Sequence, residues 1–451
     1  MTGDSGNCAK VSRRVRRSNG EVVQIVDVAL PATDVFYDRP IMKETAMQSP
    51  MHRIDTTTQG DALRPRVVVV DIAASSGGAL SMLKDFTDFL ALQDVGVDWV
   101  CLVSSDGIAS SVPWIRVVRD AFPKRSWLHR LTWEILIAPR LVRSYSPDVV
   151  FSLQNTAVLF TRVPQVVYVA QSLPFARWRR WSFFRSEERE MAVRVAVLGP
   201  VIRWSVRRAS MTIVGGAHWM QQALAISSRV DASRIVVIPP DCDVSLTASD
   251  ESDIFHEACT GQDIHFFYPA SAMPYKNFEV AIQALILLRA QGHHAELTLT
   301  ITGKENDYAK RIRQLATRLG DAVQFCGSMP RRSVLLMLQQ SILVFPSIIE
   351  TFGLPLLEAR KLGSWVIAAD TPFAREILDA YPRAHFFASA SAADLASAML
   401  ATESERAVET ALPSVTRDQN TQPGETEQSS SWQTVVNVVK GQARRRTDRH
   451  T

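Results

Sequence analysis

Short runs of apolar residues alternate with longer amphipathic stretches along most of the chain. In the first half, apolar runs predict strands at Val67–Ile72, Val97–Val103, Val149–Ser152, Gln165–Ala170, Met211–Val214 and Ile235–Ile238. Continuous apolar runs of this length are typical of parallel strands, which are covered on both faces. Because helical patterns lie between these runs, this part of the chain is predicted to form a doubly wound α/β domain.

A second series of the same kind begins at Ile264. Strands are predicted at Ile264–Tyr268, Leu297–Thr302, Val323–Phe325, Ile342–Phe345, Trp365–Ala368 and His385–Phe387. Helices are predicted between and after them, at Phe278–Ala290, Tyr308–Leu319, Arg331–Gln339, Pro355–Leu362 and Ala392–Ala401. The pattern therefore predicts two doubly wound, Rossmann-like α/β domains that face each other across a cleft.

Changes in composition divide the chain further. Residues 1–64 mix Ser, Thr, Gly and charged residues around one apolar patch, and are predicted to be an extension with a single strand. The two α/β domains are assigned to residues 65–245 and 246–402. Residues 403–451 are assigned to a polar linker, a closing helix and a basic tail. Thr402–Ser431 is rich in Thr, Glu, Gln and Ser and is expected to be flexible, and the helix is predicted at Trp432–Val439.

Composition excludes several classes of protein. No apolar run approaches the roughly 18 to 20 residues that span a bilayer, and the N-terminal residues have no apolar core of a signal peptide, so a cytoplasmic location is expected. The 5 cysteines are scattered without a C-x-x-C pair, which supports neither a disulfide framework nor a zinc site. A net charge of only +4 implies no strong attraction to nucleic acid.

The run from Pro346 to Ala359 places Glu350 and Glu358 around a predicted strand-to-helix turn. Ligands of open α/β sheets bind at the carboxyl ends of strands, where this turn is expected. The free N–H groups of Phe352, Gly353 and Leu354 at a helix start suit a phosphate, and a glycine lets the backbone approach closely. Two carboxylates that reach hydroxyl-rich groups on either side of a phosphate fit a nucleotide sugar.

This run resembles the Glu-x7-Glu signature of retaining glycosyltransferases with two facing Rossmann-like domains, the GT-B fold (glycosyltransferase family 4-like, glycosyl transferases group 1). The resemblance covers about residues 66–401. It implies that Glu350 contacts the donor sugar and Glu358 the nucleotide ribose. It also implies transfer of a hexose from a nucleotide diphosphate sugar to a glycan or polyprenyl-linked acceptor in cell-surface polysaccharide biosynthesis, with no cofactor and no metal.

Other residues match the donor side of this family. Lys276, in the loop after the Ile264–Tyr268 strand, resembles the lysine that neutralises the donor diphosphate, and a fixed ammonium there would stabilise the leaving group. Many relatives carry an arginine earlier in this loop, whereas this chain has Ala270–Ala272, so Lys304 is an alternative second cation. Gly327 resembles the residue that borders the nucleotide base.

The acceptor side matches less well. Gly77 and Gly78 resemble the glycine loop that faces the donor phosphates or the acceptor. The family often has a histidine near the reacting sugar where this chain has Ala170; Asn155 or Gln171 could supply a polar contact instead. Two alternatives therefore stay open: a non-catalytic scaffold that binds a nucleotide sugar, and a nucleotide-sugar epimerase of the same fold.

Two stretches combine basic residues with tryptophan. Arg177–Arg208 holds 9 arginines together with Trp178, Trp181 and Trp204, and Lys124–Arg143 is of the same kind. Arginine and tryptophan on amphipathic segments favour an anionic membrane surface. The alternative is a solvated basic face whose tryptophans lie in the core. A peripheral membrane location is expected on the first interpretation, and it would suit a lipid-linked acceptor.

Overall fold

The computed structural model contains two parallel sheets flanked by helices and, separately, a pair of short strands. It describes residues 12–16, 22–26, 64–74, 77–246, 264–411 and 430–447. The short strands, β1 (Ser12–Arg16) and β2 (Val22–Val26), pair antiparallel within a compact unit of their own, Met1–Gly60. The expectation of a single strand in the N-terminal extension was therefore wrong. Both parallel sheets belong to the second unit, Asp61–Thr451.

The first sheet has seven parallel strands. They are β3 (Arg66–Asp71), β4 (Asp98–Val103), β5 (Ile115–Arg119), β6 (Val149–Ser152), β7 (Gln165–Val169), β8 (Met211–Val214) and β9 (Ile235–Val237). Their order is β5-β4-β3-β6-β7-β8-β9. All of these strands except β5 were predicted from the apolar runs. β5 was missed because it is an edge strand whose two arginines are exposed, so it has no continuous apolar run.

Helices cover both faces of this sheet. They are α1 (Gly77–Leu92), α2 (Trp127–Thr132), α3 (Ala138–Tyr145), α4 (Ser186–Arg208) and α5 (His218–Ser228), with a π-helical turn between α2 and α3. Alternate residues of β3 face opposite sides: Val67 packs near Phe86 of α1, and Val68 near Val142 of α3. Val68 pairs with Val150 of β6, and Val150 pairs with Gln165 of β7, so these three residues point to the same side of the sheet. Val167, two residues after Gln165, points to that side as well. α4 packs on Val167 and therefore lies on the same side as α3.

The second sheet has six parallel strands. The strands are β10 (Ile264–Tyr268), β11 (Ala295–Leu299), β12 (Val323–Phe325), β13 (Ile342–Phe345), β14 (Val366–Ala369) and β15 (Ala384–Phe387), in the order β12-β11-β10-β13-β14-β15. The helices are α6 (Phe278–Ala290), α7 (Asp307–Ala316), α8 (Arg331–Gln340), α9 (Leu354–Leu362), α10 (Pro372–Ile377) and α11 (Ala392–Ala411). Connections between parallel strands are right-handed. The chain adds strands toward one edge of the sheet from β10 to β12, and toward the other edge from β13 to β15. α6 and α7 therefore cover one face of the sheet, and α8 and α9 cover the other. The predicted fold class, two doubly wound α/β domains, is confirmed.

The end of the chain returns to the first sheet. α12 (Ser431–Thr447) buries Val435, Val436 and Val439 in the core that contains Phe86 of α1. Its start is fixed by Asp241, which accepts hydrogen bonds from the Ser431 backbone N–H at 2.9 Å and from its hydroxyl. The predicted closing helix is therefore present. The expected flexibility from Thr402 onward was wrong for the first ten residues, because α11 continues to Ala411.

The part of the chain that the structure describes has no helix with both the length and the apolar composition needed to cross a bilayer.

Candidate functional site

The turn between β13 and α9 forms the centre of the candidate site. α9 begins at Leu354, one residue before Pro355, so the helix start was predicted closely. Gly353 has a φ of 100°, in the left-handed region, and its carbonyl accepts from the Leu356 N–H at 2.9 Å. An added Cβ would lie 3.4 Å from side-chain carbons of Ile377 and Leu356. A glycine is therefore required here by conformation, and the turn leaves backbone N–H groups at the start of α9.

Lys276 and Glu350 meet although 74 residues separate them in the chain. Their side chains form an ion pair, and each is only 14% exposed. The Lys276 backbone carbonyl accepts a hydrogen bond from the buried Tyr268 hydroxyl at 2.8 Å, which fixes the loop. From the sequence, Lys276 was predicted to contact the donor diphosphate and Glu350 the donor sugar. The structure places both groups at one point, with the ammonium charge already balanced by the carboxylate.

Glu358 lies one turn inside α9 and is almost completely buried. Its carboxylate pairs with Arg331 at the start of α8, with 2.9 Å between Nη2 and Oε1. Burial raises the pKa of Glu358, and the Arg331 charge partly opposes that rise. Arg331 also donates to the Asp243 carbonyl at 2.9 Å, so it joins Glu358 to the segment between the two sheets. Sequence reasoning missed Arg331, because nothing local marks a helix-start arginine as the partner of a glutamate on another helix.

Gly327 and Lys304 lie in the two neighbouring loops of the second sheet. Gly327 follows β12 with a φ of 74°, and an added Cβ would lie 3.1 Å from the Thr302 methyl group. Lys304 is exposed in the loop after β11, where its backbone N–H donates to the Glu305 carboxylate at 3.0 Å. The structure thus brings Lys276 and Glu350 into contact, and leaves Lys304 in an adjacent loop.

Gly77 and Gly78 form the first residues of α1 in the first sheet. A Cβ at Gly78 would meet nothing within 4 Å, so the space beside it is open. The preceding strand ends at Asp71, which is 1% exposed and accepts a hydrogen bond from the Ala74 N–H at 3.2 Å. Burial raises the pKa of Asp71 to about 6. Sequence reasoning did not single out Asp71, because a carboxylate at a strand end is usually solvated.

Ala170, which stands where the family often has a histidine, is exposed at the end of β7. Its N–H donates to the Asn155 side-chain oxygen at 2.7 Å, and its carbonyl accepts from the Thr351 hydroxyl at 2.6 Å. Thr351 follows Glu350 directly, so this position lies beside the ion pair. Asn155 holds the backbone of the loop, and Gln171 is half-buried next to it.

A second glycine pair brings the two sheets together. Gly215 and Gly216 follow β8, and a Cβ at Gly216 would lie 2.4 Å from the Thr351 carbonyl oxygen. That oxygen also accepts a hydrogen bond from the Ala217 N–H at 3.3 Å. This pair was missed, although the signal resembles that of Gly77 and Gly78: two glycines directly after a predicted strand.

The chain also contains an Asp-x-Asp triplet, Asp241–Asp243, a pattern that can hold a metal. Here both carboxylates have other partners. Asp241 binds the start of α12, and Asp243 accepts from the Ser245 N–H at 2.9 Å and from its hydroxyl at 2.6 Å. The triplet is therefore part of the connection between the sheets and α12.

Comparison with known proteins agrees with this architecture. Residues 250–414 match the family model described as glycosyl transferases group 1. HepE from Anabaena, in complex with UDP and glucose, is similar at 18% identity and a TM-score of 0.55, over 85% of this chain and 98% of that one. The fold is that of GT-B glycosyltransferases. No curated protein matches the chain.

Two further solved structures share this GT-B fold. Sucrose-phosphate synthase from Thermosynechococcus elongatus aligns at 15% identity and a TM-score of 0.57, covering 86% of this chain and 98% of that one. WaaG, a glycosyltransferase involved in lipopolysaccharide biosynthesis, aligns at 14% identity and a TM-score of 0.56, covering 77% of this chain and 92% of that one.

Proposed function

We propose that this protein is a retaining glycosyltransferase that moves a hexose from a nucleotide diphosphate sugar to a glycan or lipid-linked acceptor. The contact between Lys276 and Glu350 beside the start of α9 carries the proposal. It lies in the part of the chain that matches glycosyl transferases group 1. The UDP and glucose bound to HepE support a nucleotide-sugar donor. The role of WaaG in lipopolysaccharide biosynthesis supports a product in cell-surface polysaccharide.

The charged groups of the site would act in successive steps of the reaction. As the bond between the sugar and the diphosphate breaks, negative charge develops on the departing phosphate oxygens. The Lys276 ammonium and the N–H groups of Phe352, Gly353 and Leu354 would stabilise that charge without a metal. Glu350 would bind hydroxyls of the donor sugar, and Glu358 the ribose. The acceptor hydroxyl would then attack from the face that the phosphate leaves and give its proton to a departing phosphate oxygen, so the anomeric configuration is retained.

Donor binding requires local rearrangement of both carboxylates. Glu350 is paired with Lys276, and Glu358 with Arg331. A diphosphate would compete with Glu350 for the Lys276 ammonium and free that carboxylate to accept sugar hydroxyls. Gly78, with open space beside it, would let the first domain approach the phosphates or the acceptor, and Gly327 would border the base.

Membrane association would present the lipid-linked acceptor to this site. Of the tryptophans in the two basic stretches, Trp133 and Trp181 are buried, which fits the core alternative, whereas Trp127, Trp178 and Trp204 are exposed. α2, α3 and α4 lie on one side of the first sheet. Their exposed apolar side chains are Trp127, Leu128, Leu131, Leu136, Val193, Val197, Val201 and Trp204, with Leu136 on the π-helical turn between α2 and α3.

Exposed basic residues accompany this apolar surface on α3 and α4, among them Arg140, Arg189 and Arg207. An exposed apolar helix face flanked by cations suits an anionic bilayer. The cytoplasmic leaflet carries such a charge, and so we place the protein peripherally at the cytoplasmic face.

A transfer assay tests the proposed function. A panel of radiolabelled nucleotide sugars is incubated with the protein and with membrane lipids as a source of acceptor. Glu350→Ala is expected to abolish label transfer, and Glu405→Ala, which removes a carboxylate on α11, to preserve it. A donor that binds but transfers to no acceptor would favour the scaffold alternative, which Ala170 keeps open. A change in the donor sugar without an acceptor would favour an epimerase.

A further inference from the structure

Arg331 occupies an unfavourable place for a cation. It is the first residue of α8, and the first turn of this helix contains no acidic residue. The positive end of the helix dipole lies at the N-terminus, so a cation there is destabilising. The helix by itself therefore gains nothing from an arginine at this position.

The contacts of Arg331 lie outside α8. Its Nη2 is 2.9 Å from Oε1 of Glu358 on α9, and the same nitrogen donates to the Asp243 carbonyl at 2.9 Å. Lys361 of α9 donates to the preceding carbonyl, that of Cys242, at 2.7 Å. The segment between the sheets is thus held at two consecutive carbonyls, and it in turn holds the Arg331 guanidinium beside Glu358.

Glu358 needs a positive charge nearby to stay ionised. It is 4% exposed, and burial raises its pKa, whereas the Arg331 charge lowers it. The strands under α9, β13 and β14, consist of uncharged residues. In the segment between the sheets, burial raises the pKa of the Cys242 thiol, which is therefore neutral at neutral pH, and the Asp243 carboxylate binds Ser245. The charge that favours ionised Glu358 thus comes from α8.

Other charged side chains on the helices around Glu358 have partners of their own. On α9, Arg360 and Lys361 donate to backbone carbonyls. On α10, Arg375 forms an ion pair at the helix start, and Glu376 accepts from the start of α5. These groups are engaged away from the Glu358 carboxylate.

We propose that Arg331 is a positioning residue for the donor, which keeps the Glu358 carboxylate ionised and available to the ribose hydroxyls. This inference rests on the proposed function. An ionised carboxylate can accept about four hydrogen bonds, so contact with one guanidinium nitrogen leaves lone pairs for two hydroxyls. A protonated carboxyl group accepts fewer. A small rotation of Glu358 toward the ribose would leave it within the field of the fixed guanidinium.

The pH dependence of donor binding tests this role. Calorimetry measures the affinity of the wild type and of Arg331→Gln for UDP-, GDP- and ADP-sugars between about pH 5.5 and pH 9. Because the ribose prefers ionised Glu358, affinity falls as the pH drops through the pKa of this group. Loss of the Arg331 charge raises that pKa, so the fall begins at a higher pH. We expect Arg331→Gln to bind about tenfold or more weakly than the wild type near pH 6, and to recover most of this difference near pH 9.

Three further variants identify the cause. Arg331→Lys retains a positive charge and is expected to restore most of the wild-type pH profile. In Glu358→Gln, which cannot ionise, the additional change Arg331→Gln should add no pH dependence. Arg318→Gln removes an exposed arginine after α7 and should match the wild type.

The outcomes separate this inference from the proposed function. A loss of affinity in Arg331→Gln that is equal at every pH would show a structural role only, and would overturn the inference while the proposed function stands. An unchanged profile in Arg331→Gln has the same meaning. If the wild type binds no nucleotide sugar at any pH, the proposed donor site fails, and the role of Arg331 fails with it.

Discussion

At the scale of single residues, the site depends on charges whose partners come from distant parts of the chain. Lys276 was recognisable because it lies in a loop after a strand, and Glu350 because of its spacing from Glu358. Their mutual contact could not be predicted, since it depends on how β10 and β13 align in the sheet. Arg331 gave no sequence signal at all, because only the packing of α8 beside α9 brings it to Glu358.

Replacement of Lys276 by alanine should reduce catalysis strongly. If this ammonium stabilises the departing diphosphate, its loss lowers kcat on the order of 10²- to 10³-fold, as for removal of a single charge-stabilising group elsewhere. Lys304→Ala, the alternative cation, should have a much smaller effect. Steady-state kinetics with a saturating donor measures both. A larger loss in Lys304→Ala would move the assignment to that residue.

Asp71 should make stability depend on pH. The folded state keeps this proton up to about pH 6, whereas the unfolded chain releases it near pH 3.8. The folded state therefore binds more protons between these values, and the free energy of unfolding falls as pH rises through this window, on the order of 2–3 kcal/mol from this group.

In Asp71→Asn that contribution disappears. Urea unfolding at pH 4.5 and pH 7.5 compares the two proteins: the variant should gain stability relative to the wild type at the higher pH. An equal difference at both pH values would show that the folded state does not retain this proton.

At the scale of elements, apolar pattern predicted nearly all strands but not their lateral order. Continuous runs such as Val67–Val70 mark strands buried on both faces, and all four of these valines are fully buried. β5 has no such continuous apolar run, because an edge strand needs only one apolar side, and so it was not predicted. α12 was predicted as a helix from Trp432 to Val439. Its packing against the first sheet joins it to residues of β3 more than 350 positions away in the sequence, which no local pattern encodes.

The packing of α12 should contribute measurably to the stability of the first domain. Val436 is fully buried against the core that contains Phe86. Val436→Ala is expected to lower the free energy of unfolding by about 1–3 kcal/mol, because it leaves a cavity. Asn437→Ala, at the neighbouring exposed position, should change it by less than about 0.5 kcal/mol. Chemical denaturation measures both, and equal effects would contradict the docking of α12.

At the scale of the whole molecule, the two sheets are joined through loops at their carboxyl edges. Thr351 contacts the loops after β7 and β8, and Glu376 accepts hydrogen bonds from the His218 N–H at 2.8 Å and from the Trp219 N–H at 3.4 Å. The general idea of facing domains came from the repeated strand-helix pattern. These particular contacts could not be predicted from the sequence, because each depends on the three-dimensional positions of both domains.

Binding to anionic vesicles should depend on the exposed face of α4. The wild-type protein is expected to sediment with vesicles that contain about one third phosphatidylglycerol, and less so at high salt. A double variant, Val197→Glu with Val201→Glu, should lose most of this binding. Leu92→Glu changes an exposed apolar residue on the other side of the first sheet and should retain it. Equal binding by all three proteins would contradict membrane docking through this face.

Calorimetric titration of the protein with UDP-, GDP- and ADP-sugars tests whether the second domain binds a nucleotide sugar at the start of α9. We expect saturable binding of one nucleotide class. Binding should be weakened by about tenfold or more in Glu358→Ala and unchanged in Glu409→Ala, which removes a carboxylate on α11. Absence of binding by every nucleotide sugar, or binding that is indifferent to Glu358→Ala in a folded variant, would contradict this expectation.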